Sequence, residues 1–332
     1  MKNKILSTLL VFVFLFSLVG CGNKNENIVT DEAIKDNVTI KVGALKGPTA
    51  MGLVKVFDDS DKGVKQSNTY DYKIVASPDE IVAGLSKGDF DVAAIPANLA
   101  SILYNKTEGK LLKVSNINTL GVLYLASRDD ISDVESLKGR TIVTSGKGST
   151  PEFALRQILS KSNIDPDNDV TIEYKAQHEE VLAELINNES AVVMLPQPFL
   201  TVAKQKVEGL KVNFSLNDLW KEINGEPLIT GVLVVRNEFL EENKENFNAF
   251  LSEYKNSVDF VNNNVDEAAA LVGNYDIVPE AVAKIAIPDC NIVYIDGQES
   301  EDALSNYLNI LFEADQSSVG GVLPDENFYY KK

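Results

Sequence analysis

The chain has 332 residues, 44% of them hydrophobic and 24% charged, an ordinary globular mixture long enough for two lobes. Its formal net charge of −18 repels phosphate backbones and argues against nucleic acid as a partner. Cys21 and Cys290 are the two cysteines.

The chain opens as a processing signal. Lys2 and Lys4 form a basic start, and Ile5 to Val19 is an apolar run too short and one-sided for a membrane span. It ends in Leu18-Val19-Gly20-Cys21, which resembles a bacterial lipobox. Residues 1–20 are therefore expected to be a signal peptide and Cys21 the lipidated first residue of the mature protein, held at the extracytoplasmic face of the cell membrane. With Cys21 acylated, no disulfide can form within one chain. Residues 21–37 are rich in Asn, Lys, Glu and Asp and read as a flexible tether.

From Val38 the pattern is strand, turn, helix, repeated three times. Val38 to Gly43, Tyr72 to Ala76 and Phe90 to Ile95 read as strands; the helices start near Met51, Asp79 and Leu99. About 100 residues later the same syntax returns. Arg140 to Thr144, Val170 to Tyr174 and Ala191 to Leu195 are the strands, with helices over Pro151 to Ser160, His178 to Asn187 and Phe199 to Gln205. Alternation of this kind predicts an α/β fold with two doubly wound lobes. Ligands of such sheets lie beyond the carboxyl ends of the strands, so a cleft is expected between the two sets of turns.

Two apolar stretches read as hinge strands joining the lobes, Asn118 to Ala126 and Ile229 to Val235. Gly121 and Gly231 in them permit a hinge or a close approach of backbone, or mark a bulge inside an ordinary strand. The lobes are then 38–122 with 231–332, and 123–230. In the remainder, Phe247, Phe250, Leu251, Tyr254, Val258 and Val261 recur at helical spacing as one apolar face. The end of the chain, from Ser317, is expected to strap the first lobe. Trp220 reads as packing and Cys290 as a small buried hydrophobe.

The candidate binding residues sit at the turns. Ile142 to Ser145 runs as a strand into Gly146-Lys147-Gly148, and a helix start follows. Ser149 or Thr150 can be the N-cap, with Glu152 completing a capping box. Such a turn is a receptor for an anion or polar group. It is not a nucleotide-binding P-loop, since Gly148 follows the lysine and Thr141 replaces the leading glycine. The predicted lining is Lys46, Gly47, Pro48 and Thr49 after the first strand, Pro96 and Asn98 after the third, and Thr119 in the first crossing. The second lobe supplies Ser145, Lys147, Gly148, Ser149, Thr150 and Gln197. Lys46 and Lys147 either serve an anionic ligand or are solvated. Tyr124 and Phe199 either stack on a ring or belong to the core. His178, the single histidine, falls at a helix start in the middle turn of the second lobe and is either a surface or capping residue or a ligand contact. One histidine and one free thiol do not make a metal set, and neither metal nor cofactor is expected.

Taken together, the lipobox, Lys46-Gly47-Pro48-Thr49-Ala50-Met51-Gly52, Ile95-Pro96-Ala97-Asn98-Leu99-Ala100, Ser145-Gly146-Lys147-Gly148 and Leu195-Pro196-Gln197-Pro198-Phe199 resemble solute-binding lipoproteins of ABC importers. The nearest group is similar to sulfonate-, nitrate- and thiamine-precursor-binding proteins. The resemblance implies a type II periplasmic-binding-protein fold, a small-molecule solute, and delivery to an ABC permease and its ATPase by a monomer that breaks no bond. Gln197 departs from the Glu expected in many relatives. The broader superfamily also holds pyrimidine-precursor synthases, so an enzyme is the alternative, as is a ligand-binding sensor lipoprotein.

Overall fold

The computed structural model describes residues 37–332. The signal peptide, Cys21 and the tether up to residue 36 lie outside the described residues.

The chain begins with β1 (Thr39–Leu45), α1 (Pro48–Met51), α2 (Val54–Asp61), β2 (Thr69–Val75), α3 (Pro78–Lys87), β3 (Val92–Pro96), α4 (Ala97–Lys106) and β4 (Leu112–Leu120). It then crosses into β5 (Leu123–Ser127), β6 (Thr141–Ser145), α5 (Thr150–Lys161), β7 (Thr171–Lys175), α6 (His178–Asn187), β8 (Val192–Pro196), α7 (Phe199–Lys206), β9 (Lys211–Ser215) and α8 (Leu216–Asn224). It returns through β10 (Ile229–Arg236) to α9 (Asn237–Asn263), α10 (Val265–Asn274), α11 (Glu280–Ala286), β11 (Ile292–Asp296) and α12 (Gly297–Ala314).

These strands make two sheets, ordered β11-β4-β10-β3-β1-β2 and β7-β6-β8-β5-β9. In the first, β2, β1 and β3 are parallel, and β10 runs antiparallel to both β3 and β4. In the second, β7, β6 and β8 are parallel, and β5 runs antiparallel to β8 and β9. In each sheet the strand on which the chain arrives from the other, β10 or β5, runs antiparallel to its neighbours, and in the first sheet β11 is also antiparallel to β4. The central strands β3 (Val-Ala-Ala-Ile-Pro) and β8 (Val-Val-Met-Leu-Pro) are buried at every position, as unbroken apolar runs require. Edge strand β2 alternates exposed and covered residues over its first half.

Helix ends follow from local chemistry. Ser77 caps α3 by accepting from the Glu80 amide at 3.4 Å, and Gly88 ends that helix in the left-handed region at φ 80°. In α9 the six apolar residues at helical spacing are all buried. The C-terminal segment straps the first lobe: Tyr104 donates to Asp325 at 2.6 Å, and the Tyr330 amide donates to the Val114 carbonyl at 2.8 Å.

Gly121 and Gly231 have no left-handed backbone; each is needed for close approach. A Cβ on Gly121 would lie 2.4 Å from Asn217 Oδ1, and one on Gly231 would lie 2.5 Å from Asn118 Oδ1. Gly231 also sits at a register shift between β10 and β4. Of the readings left open by the sequence, the coordinates display close packing at both glycines and a strand irregularity at Gly231.

The core forms three clusters among the described residues, one within each lobe and one shared by both. Its largest cluster runs from Ile95 and Ile117 of the first sheet, through Leu304 and Leu308 of α12, to Leu155, Ile158 and Trp220 of the second lobe. Trp220 and Cys290 are fully buried. Among the described residues, no helix is long and apolar enough to cross a membrane.

Candidate ligand cleft

A cleft with a cavity volume of ≈ 100 Å³ lies where the carboxyl ends of the strands face each other. The first sheet contributes Lys46, Gly47, Pro48 and Thr49 after β1, Ala76 and Pro78 after β2, Pro96 at the end of β3, and Thr119 and Thr230. The second contributes Ser145, Gly146, Ser149, Thr150 and Pro151 after β6, Gln177 and His178 after β7, and Pro196, Gln197 and Phe199 after β8. The first residue of each of α3, α5, α6 and α7 is in this lining, so four helix N-termini bring their partial positive charge to one space.

The walls are largely apolar, and the polar groups are mostly committed. The Thr49 hydroxyl donates to the Leu45 carbonyl at 2.7 Å and the Ser149 hydroxyl to Gly146 at 2.7 Å. The Thr230 hydroxyl donates to Leu120 at 2.6 Å, and Thr119 Oγ1 donates to Asn118 Oδ1 at 3.0 Å. With their protons engaged, these hydroxyls offer lone pairs to a ligand. Gln197 Oε1 accepts from the Thr201 hydroxyl at 2.8 Å and the Thr201 amide at 3.3 Å, which leaves its amide nitrogen as the end available to the cleft.

Lys46 is the one charged side chain in the lining, and its Nζ lies 3.9 Å from Glu179 Oε1 of the opposite lobe. The other sequence-predicted lysine goes elsewhere. Lys147 stands between Gly146 at φ 79° and Gly148 at φ 74°, and its ammonium lies 5.7 Å from the centre of the Tyr174 ring. Lys147 and Gly148 border a separate surface groove with Lys106 and Phe153. Asn98 is fully buried and also outside the lining: it accepts from Thr150 Oγ1 at 3.2 Å and donates to the Ser318 carbonyl at 3.1 Å. Tyr124 is likewise absent from the lining, packed partly buried against Leu195 and its neighbours. The expected capping box is displaced by one residue. Glu152 accepts from the Gly148 amide at 2.6 Å, and Ser149 forms no side-chain cap.

His178 stands at the start of α6, where the sequence reads it, and there it lines the cleft. It is neither a surface residue nor a cap. It is half-buried in the cleft wall, with Nδ1 2.6 Å from Ser145 Oγ and its ring 5.0 Å from that of Phe199. Burial pushes its pKa down to about 4, so the imidazole is neutral at neutral pH and keeps one donor and one acceptor. The signal that could have found it is topological. β6 and β7 are adjacent parallel strands, so the end of one and the helix start after the other are neighbours across 33 residues of sequence. Chemically the cleft can enclose a small molecule with apolar faces, and the Ser145–His178 pair can pass a proton. Among the described residues, no group of His, Cys, Asp and Glu is placed to hold a metal ion.

Comparison with known proteins adds the following. The family described as menaquinone biosynthesis matches residues 48–313. A protein from Parabacteroides distasonis, described as an ABC transporter, superposes with a TM-score of 0.74 at 24% identity, covering 89% of this chain and 99% of that one. The periplasmic aliphatic sulphonate binding protein SsuA from Escherichia coli gives 0.70 at 14% identity, covering 88% and 92%. The ligand binding component of an ABC-type import system from Staphylococcus aureus, solved with zinc bound, gives 0.70 at 16% identity, covering 89% and 97%. No curated protein matches the chain in sequence. At these identities the likeness is one of fold, the two-lobed α/β fold of type II periplasmic binding proteins.

Proposed function

The chain belongs to the menaquinone-biosynthesis family, and on that premise we propose that it is a solute-binding lipoprotein working outside the cytoplasm. It takes a small molecule into the cleft and hands it to an ABC permease driven by a cytoplasmic ATPase. The observation that carries this reading is a lining drawn from both sheets at the ends of their strands. The descriptions of the similar structures as transporter components support it. A signal peptide over 1–20 and a lipid on Cys21 would hold the protein, as a monomer, on the outer face of the membrane.

The ligand suited to this space has an apolar body against Pro48, Pro96, Pro196 and Phe199 and an anionic group at Lys46. Contacts made to both lobes at once stabilise the closed arrangement, which is what the permease reads. Native mass spectrometry of protein purified without refolding tests the proposal. A small molecule should leave with the protein, raise its melting temperature when added back, and be recovered unchanged. A Cys21→Ser variant should leave the membrane fraction.

A second reading, an enzyme on the same fold, is favoured by the Ser145–His178 pair at 2.6 Å and by the family's biosynthetic description. It predicts that the co-purified molecule is converted on incubation, and that His178→Asn lowers kcat more than it raises KM.

A further inference from the structure

The lobes are held together by more than their two chain crossings. α12 follows β11 of the first sheet and packs against β4 and α4 of that lobe and against α5 of the second. The Tyr307 ring is 5.5 Å from the indole of Trp220 on α8. Leu311 and Ala314 border the same groove as Phe153 and Gln157 of α5. Polar contacts follow the apolar ones. Tyr307 donates to Thr150 Oγ1 at 3.4 Å, and Thr150 donates to Asn98 Oδ1 at 3.2 Å. Asn98 Nδ2 in turn donates to the Gly148 carbonyl at 3.4 Å and to that of Ser318 at 3.1 Å. Tyr307, Trp220, Thr150 and Asn98 are each at most 2% exposed.

The mouth is different. There the Lys46–Glu179 pair is 3.9 Å long, with its side chains 28% and 48% exposed. Parting the lobes along α12 would give large apolar side chains to water and strip buried polar groups of their partners. The ion pair at the mouth is a screened one, and Val202 of α7, packed against the first-lobe cluster that holds Val282 and Ala286, is a separate apolar contact between the lobes.

We propose that α12 is a strut that keeps the lobes shut along its edge whether or not the cleft is filled, so that ligand enters and leaves through the Lys46–Glu179 mouth. The strut also accounts for the contact between Asn98 in the first turn of α4 and Thr150 at the start of α5, which joins the two lobes beside α12.

Trp220 is the single tryptophan of the chain and reports on the strut directly. The full chain, freed of small molecules by extensive dialysis, should show blue-shifted emission that acrylamide quenches poorly. Tyr307→Ala should shift the emission to the red and increase quenching, while Tyr307→Phe, which keeps the ring, should not. Quenching of Tyr307→Ala equal to that of the wild type, or ready quenching in the dialysed wild type, would overturn the proposal. Should Tyr307→Ala fail to fold by circular dichroism, hydrogen exchange on the wild type decides. Amides of α5 and α12 should open together, and α12 exchanging well ahead of α5 would refute the strut. None of these readouts needs the ligand, so they fail or succeed independently of the transport and enzyme readings.

Discussion

After β1 the chain runs Lys46-Gly47-Pro48-Thr49 into α1; after β6 it runs Gly146-Lys147-Gly148-Ser149 into α5. Both turns join a first strand to a helix, both hold a lysine, and both line the cleft in part. In the first, one glycine, Gly47 at φ 137°, follows the lysine, and Lys46 stays over the cleft. In the second, the lysine lies between two glycines in the left-handed region, and the backbone carries it round to Tyr174. Counting charges in a turn is therefore not counting charges in a site. The backbone sign on either side of the residue decides which way it faces.

The comparison can be broken most forcibly at its glycines. Gly146→Ala places a side chain at φ 79°, with its Cβ 2.9 Å from Ser149 Oγ and 3.0 Å from Pro151 Cγ. It should cost about 2–3 kcal/mol in urea unfolding, strain and crowding together. Gly148→Ala, at φ 74° with nothing within 4 Å, should cost only about 1 kcal/mol. Equal losses would show that crowding plays no part.

His178 supplies the next effect. Its folded pKa of about 4 lies below the ordinary 6.5, so between these values the unfolded chain binds more protons. Stability should be fully present above about pH 6.5 and fall as pH drops toward 4, by about 1–3 kcal/mol. Denaturant midpoints at pH 4.5 and 7 measure this. The drop over that window should shrink in His178→Asn, and an unchanged slope would place the imidazole in solvent.

Binding sharpens the contrast between the lysines. For an anionic ligand, Lys46→Ala should weaken affinity by about tenfold, or about 1.4 kcal/mol, in calorimetry with the co-purified molecule. Lys147→Ala should leave affinity unaltered and change stability by about 0.5 kcal/mol or less, the scale of an exposed contact with an aromatic ring. The reverse ranking would return Lys147 to the site.

Much of the architecture was legible because it is periodic. The buried runs of β3 and β8, the six apolar positions of α9 and the start of α6 at His178 can all be read from spacing. β9 was not, because Lys211-Val212-Asn213-Phe214-Ser215 is an edge strand with no fully buried residue and hence no apolar rhythm. α8 was missed for a related reason: in its first six residues only Leu216 and Trp220 are buried, too few to mark a face. In the cleft, residues fixed by backbone position, such as Pro48, Pro96 and Ser145, could be named from the turns. Those that depend on side-chain direction or on a distant partner could not. Lys147 turns with its glycines, Asn98 is claimed by Thr150, and His178 meets Ser145 only once β6 and β7 are paired.

The order in which the two sheets are spelled out along the chain differs sharply. Every strand of the second sheet lies between Leu123 and Ser215, whereas the first sheet draws β10 and β11 from beyond residue 228 and is fastened by Tyr330 against Val114. A ribosome finishes the second sheet more than a hundred residues before it supplies the last piece of the first. The opening third of the described chain must wait, with β3 and β4 lacking the strand that separates them, until β10 is complete at Arg236, and its edge is not covered by β11 until Asp296.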